Sequence, residues 1–389
     1  MENPTLVPPG QNRQANSGCR RIVTIAVISI CFLFVLSATA QQPAIEESRD
    51  EGKPVITTFD IQGAGTGAYQ GTIALSINAG KSIAGTYRDS NTAYHGFLRS
   101  LDGAVTTFDA PDGGTGAYRG TIPESINTKE TIAGIYLDST DVNHGFVRAA
   151  TGSIIEFDVS DAGTGAGQGT QPVSINTGGV IAGSYIDTNN ASHGFLRSAK
   201  GAITTFDVAG AGTGTYQGTQ AASINAKGTI AGSYIDAGNV SHGYLRSVQG
   251  VITTFNVTEA GTGAYQGTTV VAINGVGDIT GFYVDANNVY HGFLQSSTGA
   301  ITTFDATGAG TGAYQGTIPS ALDAGEVITG YYIDASNVYH GFERSAKGAF
   351  STFDPPSSAA TTPTSIQAGY ITGYFMDANN VNHGFLRTP

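Results

Sequence analysis

From residue 55 onward the apolar side chains come in short runs, rich in β-branched and aromatic types and bounded by Gly, Asn, Asp or Ser. Between residues 219 and 256 four such runs follow one another, at 221–225, 229–236, 241–247 and 251–255. That is the pattern of β-strands. No 3.6-residue apolar period with a helix cap accompanies it. We letter the four predicted strands a, b, c and d. Asn-Ala-Lys-Gly at 225–228 predicts a tight a–b hairpin, and Ser-Val-Gln-Gly at 247–250 a c–d hairpin. The b–c link at 237–240 is a short polar turn, and the d–a connection at 210–218 is longer and rich in Gly and Thr.

The pattern recurs. His95, His144, His193, His242, His291 and His340 are 49 residues apart, and His383 follows after 43. Each is followed by Gly and then Phe or Tyr. Phe59, Phe108, Phe157, Phe206, Phe255, Phe304 and Phe353 keep the period without a break. A fixed period of this length marks a solenoid or a propeller. Four antiparallel strands repeated seven times predict an all-β chain, a seven-bladed β-propeller of four-stranded blades. The repeats open on a lone d strand at 55–60 and end on an a–b–c set at 365–387. Pairing the two would complete one blade and close the ring. The d–a loops and b–c turns would then share one face, the a–b and c–d hairpins the other.

The first residues read differently. Residues 22–36 are apolar apart from Thr24 and Ser29, Arg20 and Arg21 precede them, and Ala38-Thr39-Ala40 follows. This predicts a signal peptide over 1–40, with a retained anchor as the alternative, a linker over 41–54 and the propeller over 55–389. The chain is therefore expected to be secreted, periplasmic or on a cell surface. Both cysteines, Cys19 and Cys31, lie in the leader, so the exported part carries no disulfide. It holds 15 basic and 29 acidic side chains, a net charge of −14, against −12 for the whole chain. That balance disfavours nucleic acid and anionic membrane surfaces.

The string Ile175-Asn176, Gly179, Ile181-Ala182-Gly183, Tyr185 and Asp187, continued by His193-Gly194-Phe195-Leu196-Arg197, resembles the HAF-type repeats of bacterial extracellular proteins. The resemblance covers 55–389, with His-Gly-Phe in place of His-Ala-Phe. It implies an exported, propeller-like protein and transfers no activity and no catalytic residue.

Seven Asp–His pairs frame the b–c turns: Asp89 and His95, Asp138 and His144, Asp187 and His193, Asp236 and His242, Asp285 and His291, Asp334 and His340, Asp377 and His383. Acid–base work or metal ligation would need them to converge on one point. Spread once per blade, they read as structural bonds across the turn. Asp187 and Asn189 carry the oxygen spacing of a calcium turn without its Gly and distal Glu, and no metal or cofactor is expected. The Gly-Thr-Gly loops lack the helix or the Lys-Ser/Thr pair of a phosphate cradle. Arg99, Arg148, Arg197, Arg246, Arg344 and Arg387 recur late in strand c, with Gln295 as the exception, and are expected to pair with acids on adjacent strands.

The loops also carry Tyr69, Tyr118, Tyr216, Tyr265 and Tyr314, with Gln70, Gln217, Gln266 and Gln315 following four of them. Arg119 follows Tyr118, repeat three has Gly167, and the last repeat lacks the loop. Such a ring could stack on sugars or grip a peptide. It could also pack between blades. The leading expectation is a monomeric, non-catalytic module that binds a protein or glycan at its loop face. A propeller hydrolase or lyase working at the central channel is one alternative, and a structural cell-surface repeat protein without a defined ligand is another.

Overall fold

The computed structural model describes residues 53–389, and within them there are 28 β-strands and no helix. The expected leader, at 1–40, lies outside the described residues, as does nearly all of the linker at 41–54. β1 spans Ile56–Phe59, and the first full unit is β2 (Gly71–Ile77), β3 (Ile83–Arg88), β4 (Tyr94–Arg99) and β5 (Val105–Phe108). These are strands a to d, each antiparallel to the next. The same four-strand unit recurs to β25 (Phe350–Phe353), and β26 (Ala360–Gln367), β27 (Tyr370–Met376) and β28 (Asn382–Arg387) follow. β28 pairs antiparallel with β1, from Ile56 opposite Arg387 to Phe59 opposite Gly384. Strand a of each unit packs on strand b of the unit before it, and β2 packs on β27 in the same way.

Most predicted strand limits stand within a residue or two. Strand a is the exception, because it starts earlier, at Gly218 in place of residue 221. Gly218 has φ +111°, and a Cβ there would lie 2.0 Å from the Ser192 carbonyl oxygen. Only glycine lets strand a begin with a parallel bridge to the preceding strand c. The next residue, Thr219, is fully buried, and its hydroxyl accepts the Val208 N–H at 2.9 Å. Every strand a also carries a β-bulge, at Ala221/Ser223 in this unit, which the sequence pattern does not announce.

The repeating phenylalanine is the seam between units. Phe206 meets the Tyr244 ring of the next unit edge to face at 6.2 Å. Its ring also lies where a Cβ on Gly194 would be, 2.5 Å away, so His-Gly-Phe needs its glycine for close approach. The strand-c arginines differ from expectation. Arg99, Arg148, Arg197, Arg246, Arg344 and Arg387 lie over Phe59, Phe108, Phe157, Phe206, Phe304 and Phe353 of the preceding unit, 4.6–4.9 Å from the ring centroids. The guanidinium stacks on the aromatic face in place of a carboxylate, and among the described residues only Arg387 of the six also forms an ion pair with an acid, Glu343.

A second seam runs through the a–b hairpins. The Asn78 side-chain oxygen accepts the Ser82 N–H of its own hairpin, and its amide donates to the Asn127 carbonyl of the next unit at 3.0 Å. Asn127, Asn176 and Asn225 pass the bond on in turn, and Asn274 reaches Asp323.

Candidate functional site

Each b–c turn is built by the aspartate that ends strand b. In the third unit the Asp187 carboxylate accepts the Asn189 and Ala191 N–H groups, both at 2.8 Å. The Asn189 amide donates to the other oxygen at 3.1 Å. The oxygens that could have faced a cation are engaged with N–H donors of the turn itself. Burial raises the Asp187 pKa, but the bonds from Ala191 and Asn189 and the nearby His193 outweigh it and hold the carboxyl below its usual range. Asp138, Asp236, Asp285 and Asp377 are lowered by the same balance.

The histidine opening strand c stands between two acids. His95 places Nε2 3.7 Å from Asp89 and Nδ1 3.0 Å from Asp109. The expected pairing across the turn is therefore the longer contact. The closer partner is the residue after the repeating Phe, namely Asp109, Asp158, Asp207, Asn256, Asp305, Asp354 or Asp60, at 2.7–3.0 Å. Its period matches that of the histidines, so this signal was present in the sequence. A carboxylate can only accept, so Nδ1 carries the proton. Asn256 replaces Asp in the fourth unit, and there His242 Nε2 sits 3.2 Å from Asp236, against 3.7–3.8 Å elsewhere. With a neutral partner on one side, the imidazole leans toward the remaining carboxylate.

A ring of strand b stacks on each imidazole. Tyr185 lies over His193 with centroids 4.9 Å apart and planes at 21°. Burial first, then Asp207, Asp161 and Asp187, push the Tyr185 phenol up to about 12. The His291 pKa is raised, chiefly by its hydrogen bond to Asp305. In the second unit the Asp112–Thr115 loop, Tyr136, Asp138, Ser139 and His144 line an open recess of about 450 Å³. Among the described residues no three His, Cys, Asp or Glu side chains are placed to hold a metal ion.

The d–a loop lies beside these turns, as the strand order predicts. The Tyr216 N–H donates to the Asn190 carbonyl in the preceding unit's turn at 2.9 Å. Tyr69, Tyr118, Tyr265 and Tyr314 donate to Asn380, Thr92, Asn239 and Asn288 in the same manner, and Gly167 to Asp141. All five tyrosines have φ between +61° and +68°. Tyr216, Tyr265 and Tyr314 are 65%, 81% and 57% exposed, whereas Tyr69 and Tyr118 are each 37% exposed and Tyr118 lies against the Arg88 guanidinium of the preceding unit, 5.8 Å from the ring centroid.

The glutamines have another task. Gln217 accepts the Gly214 N–H at 3.0 Å, and its amide nitrogen reaches the Ala237 carbonyl at 3.2 Å and Asn239 at 3.1 Å. Gln266 and Gln315 repeat all three bonds. Gln70 accepts from Gly67 and donates to the Ser90 carbonyl. Both ends of each amide are engaged in holding the loop to its own b–c turn. Of the predicted ring, Tyr216, Tyr265 and Tyr314 are more than half exposed, and the glutamines hold the loops that carry them.

No protein-family model matches this sequence, and no curated protein is similar to it in sequence. Its fold is similar to solved structures. One is a prolyl endopeptidase, with TM-score 0.55 and 10% identity over 79% of this chain and 46% of that one. Another is puromycin hydrolase, with TM-score 0.51 and 11% identity over 80% of this chain and 50% of that one. The chain thus spans about half the length of these two hydrolases. The BP39L lectin of Burkholderia pseudomallei matches with TM-score 0.50 and 8% identity over 80% of this chain and 94% of its own. These likenesses show a β-propeller fold.

Proposed function

We propose that the chain is an exported, non-catalytic, seven-bladed β-propeller that presents a ring of tyrosines on its loop face to a glycan or protein partner. Ring closure rests on β1 completing the unit of β26, β27 and β28. Export rests on the composition of residues 1–40.

One observation carries the binding reading. A bulky residue at φ near +65° is strained by about 1–2 kcal/mol. The third unit satisfies the same turn with Gly167, at φ +84°. Tyrosine therefore sits at five positions where glycine suffices, and at three of them the residue is more than half exposed. Neither backbone nor core explains the choice, whereas a partner that stacks on the ring and bonds its hydroxyl does. Repetition round the ring multiplies weak contacts into avidity. A glycan array and a polysaccharide pull-down with the purified protein test this. Saturable binding that is lost on replacing Tyr216 and Tyr265 by Ala is expected. Binding indifferent to those changes would refute it.

A further inference from the structure

One strand b ends on a basic residue, Arg88; the same position carries Leu137, Ile186, Ile235, Val284, Ile333 and Met376 in the other units. Three tyrosines surround the Arg88 side chain. Its guanidinium lies 4.9 Å from the ring centroid of Tyr94 and 5.8 Å from that of Tyr118, and Nη1 donates to the Tyr69 carbonyl at 2.6 Å. Tyr69 stands on the d–a loop of the same unit, Tyr118 on that of the next, and Tyr94 opens strand c opposite Arg88. The arginine is thus held by two rings and a main-chain oxygen, as suits a planar, weakly hydrated cation.

The fifth unit repeats every part of this arrangement except the arginine. Tyr265 takes the place of Tyr69, Tyr314 that of Tyr118 and Tyr290 that of Tyr94, while Val284 stands opposite Tyr290 as Arg88 does opposite Tyr94. The loop backbones match as well, since all four loop tyrosines have φ between +61° and +68° and donate to the preceding b–c turn. Exposure registers the missing cation. Tyr69 and Tyr118, which Arg88 touches, are each 37% exposed, whereas Tyr265 and Tyr314 are 81% and 57% exposed. Among the described residues the Tyr69 carbonyl accepts a hydrogen bond and the Tyr265 carbonyl does not. Charge has moved the same way, because Glu259 stands exposed on this unit's d–a loop where the first unit has Gly63. No other unit offers the set. Ser241 replaces the strand-c tyrosine in the fourth, and the second, third, sixth and seventh each lack one of the two loop tyrosines.

We infer that Tyr265, Tyr290 and Tyr314 form an arginine-binding site, filled by the guanidinium of an arginine on a partner protein. The inference rests on the reading that the loop-face tyrosines bind a partner, and it names that partner's chemistry at one place on the ring. The occupant is read from the chain itself, which puts Arg88 into the matching place in the first unit. The charge of the two faces agrees. An aspartate follows strand b in all seven units and strand d in six, on the loop face, while Lys81, Lys129, Lys200, Lys227 and Lys347 all sit in hairpins of the other face. Such a field draws a cationic partner to the loop face. A lysine fits less well, because its ammonium is more strongly hydrated and cannot stack. A neutral sugar gains nothing from the charge.

The probe is the blocked peptide Gly-Ser-Gly-Arg-Gly-Ser-Gly, titrated against the full protein by ligand-observed NMR, with Lys or Gln at the central position as controls. Saturation at one peptide per chain is expected, with the lysine peptide at least about fivefold weaker and the glutamine peptide silent. Tyr265→Gly or Tyr314→Gly should weaken binding by roughly tenfold. Val284→Arg, which copies the first unit, should abolish it while every loop tyrosine remains. Arg88→Val should open a second site between Tyr69 and Tyr118, so that two peptides bind per chain, a readout that does not depend on the folding of Val284→Arg. Equal binding of the lysine peptide, binding indifferent to Tyr265→Gly or to a folded Val284→Arg, or a single site after Arg88→Val would each overturn the inference. So would failure of the arginine peptide to bind the native protein. A polysaccharide still held through Tyr216 and Tyr265 would in that case leave the tyrosine ring standing without this site, and the absence of any ligand would remove both.

Discussion

Single residues that depart from the repeat reveal what each position is for. Tyr244 is fully buried where the other units have Phe97, Phe146, Phe195, Phe293, Phe342 and Phe385, also fully buried. Among the described residues its hydroxyl has no hydrogen-bond partner, and a buried unmet donor costs about 1–3 kcal/mol. Tyr244→Phe is therefore expected to stabilise the protein by about 1 kcal/mol or more, read as a higher urea midpoint at unchanged slope. A lower midpoint would mean that the hydroxyl has a role the geometry does not show. At this scale the sequence was readable where a chemistry repeats with its partner nearby. Asp187 and His193 were found that way, but Asp207, 14 residues from His193, was not, because strands c and d bring it back only on folding. Nor did the sequence announce the left-handed backbone of Tyr216. Gly167 in the equivalent place was the one clue.

Among elements, the strands were legible because their runs are bounded by Gly, Asn and Ser, and the register follows from the hairpins. The bulges were not, because nothing in Pro172-Val173-Ser174 distinguishes a strand with one extra residue. The arginines were misassigned for a similar reason: a sequence shows charge, whereas the preceding unit's Phe is presented only once the units stack. The asparagine seam makes a prediction of its own. Asn176 both closes its own hairpin and donates to Asn225 in the next unit. Asn176→Asp keeps the first bond and loses the second, so a loss of about 1–2 kcal/mol is expected from thermal or urea unfolding. An unchanged midpoint would show that the seam contributes no stability.

Over the whole molecule, ring closure and pH dependence can both be measured. If β1 closes the ring, Phe59 is equivalent to Phe206, since it meets Phe97 at 6.3 Å and carries Arg99 over its face. Phe59→Ala and Phe206→Ala should then cost the same, roughly 2 kcal/mol each for a half-buried ring. A negligible cost at Phe59 alone would mean an open chain. The turn aspartates have lowered pKa values, so their stabilisation is present above their unfolded value of 3.8 and is lost as pH falls through the lower folded values. The raised His291 contributes fully below its unfolded value of 6.5 and loses that contribution as pH rises through its folded pKa. Stability measured against pH should therefore be greatest between about 4 and 6.5, and His291→Gln should diminish the loss on the alkaline side.

The central claim is that the exposed tyrosines are kept for a partner at the expense of backbone comfort. Tyr216, Tyr265 and Tyr314 should be replaced together by Gly, with stability and glycan or protein binding measured on the same sample. The account predicts a protein more stable by roughly 0.5–1 kcal/mol per site, as relief of the left-handed strain outweighs the added chain entropy, and with its binding lost. A variant that is destabilised and still binds would contradict it.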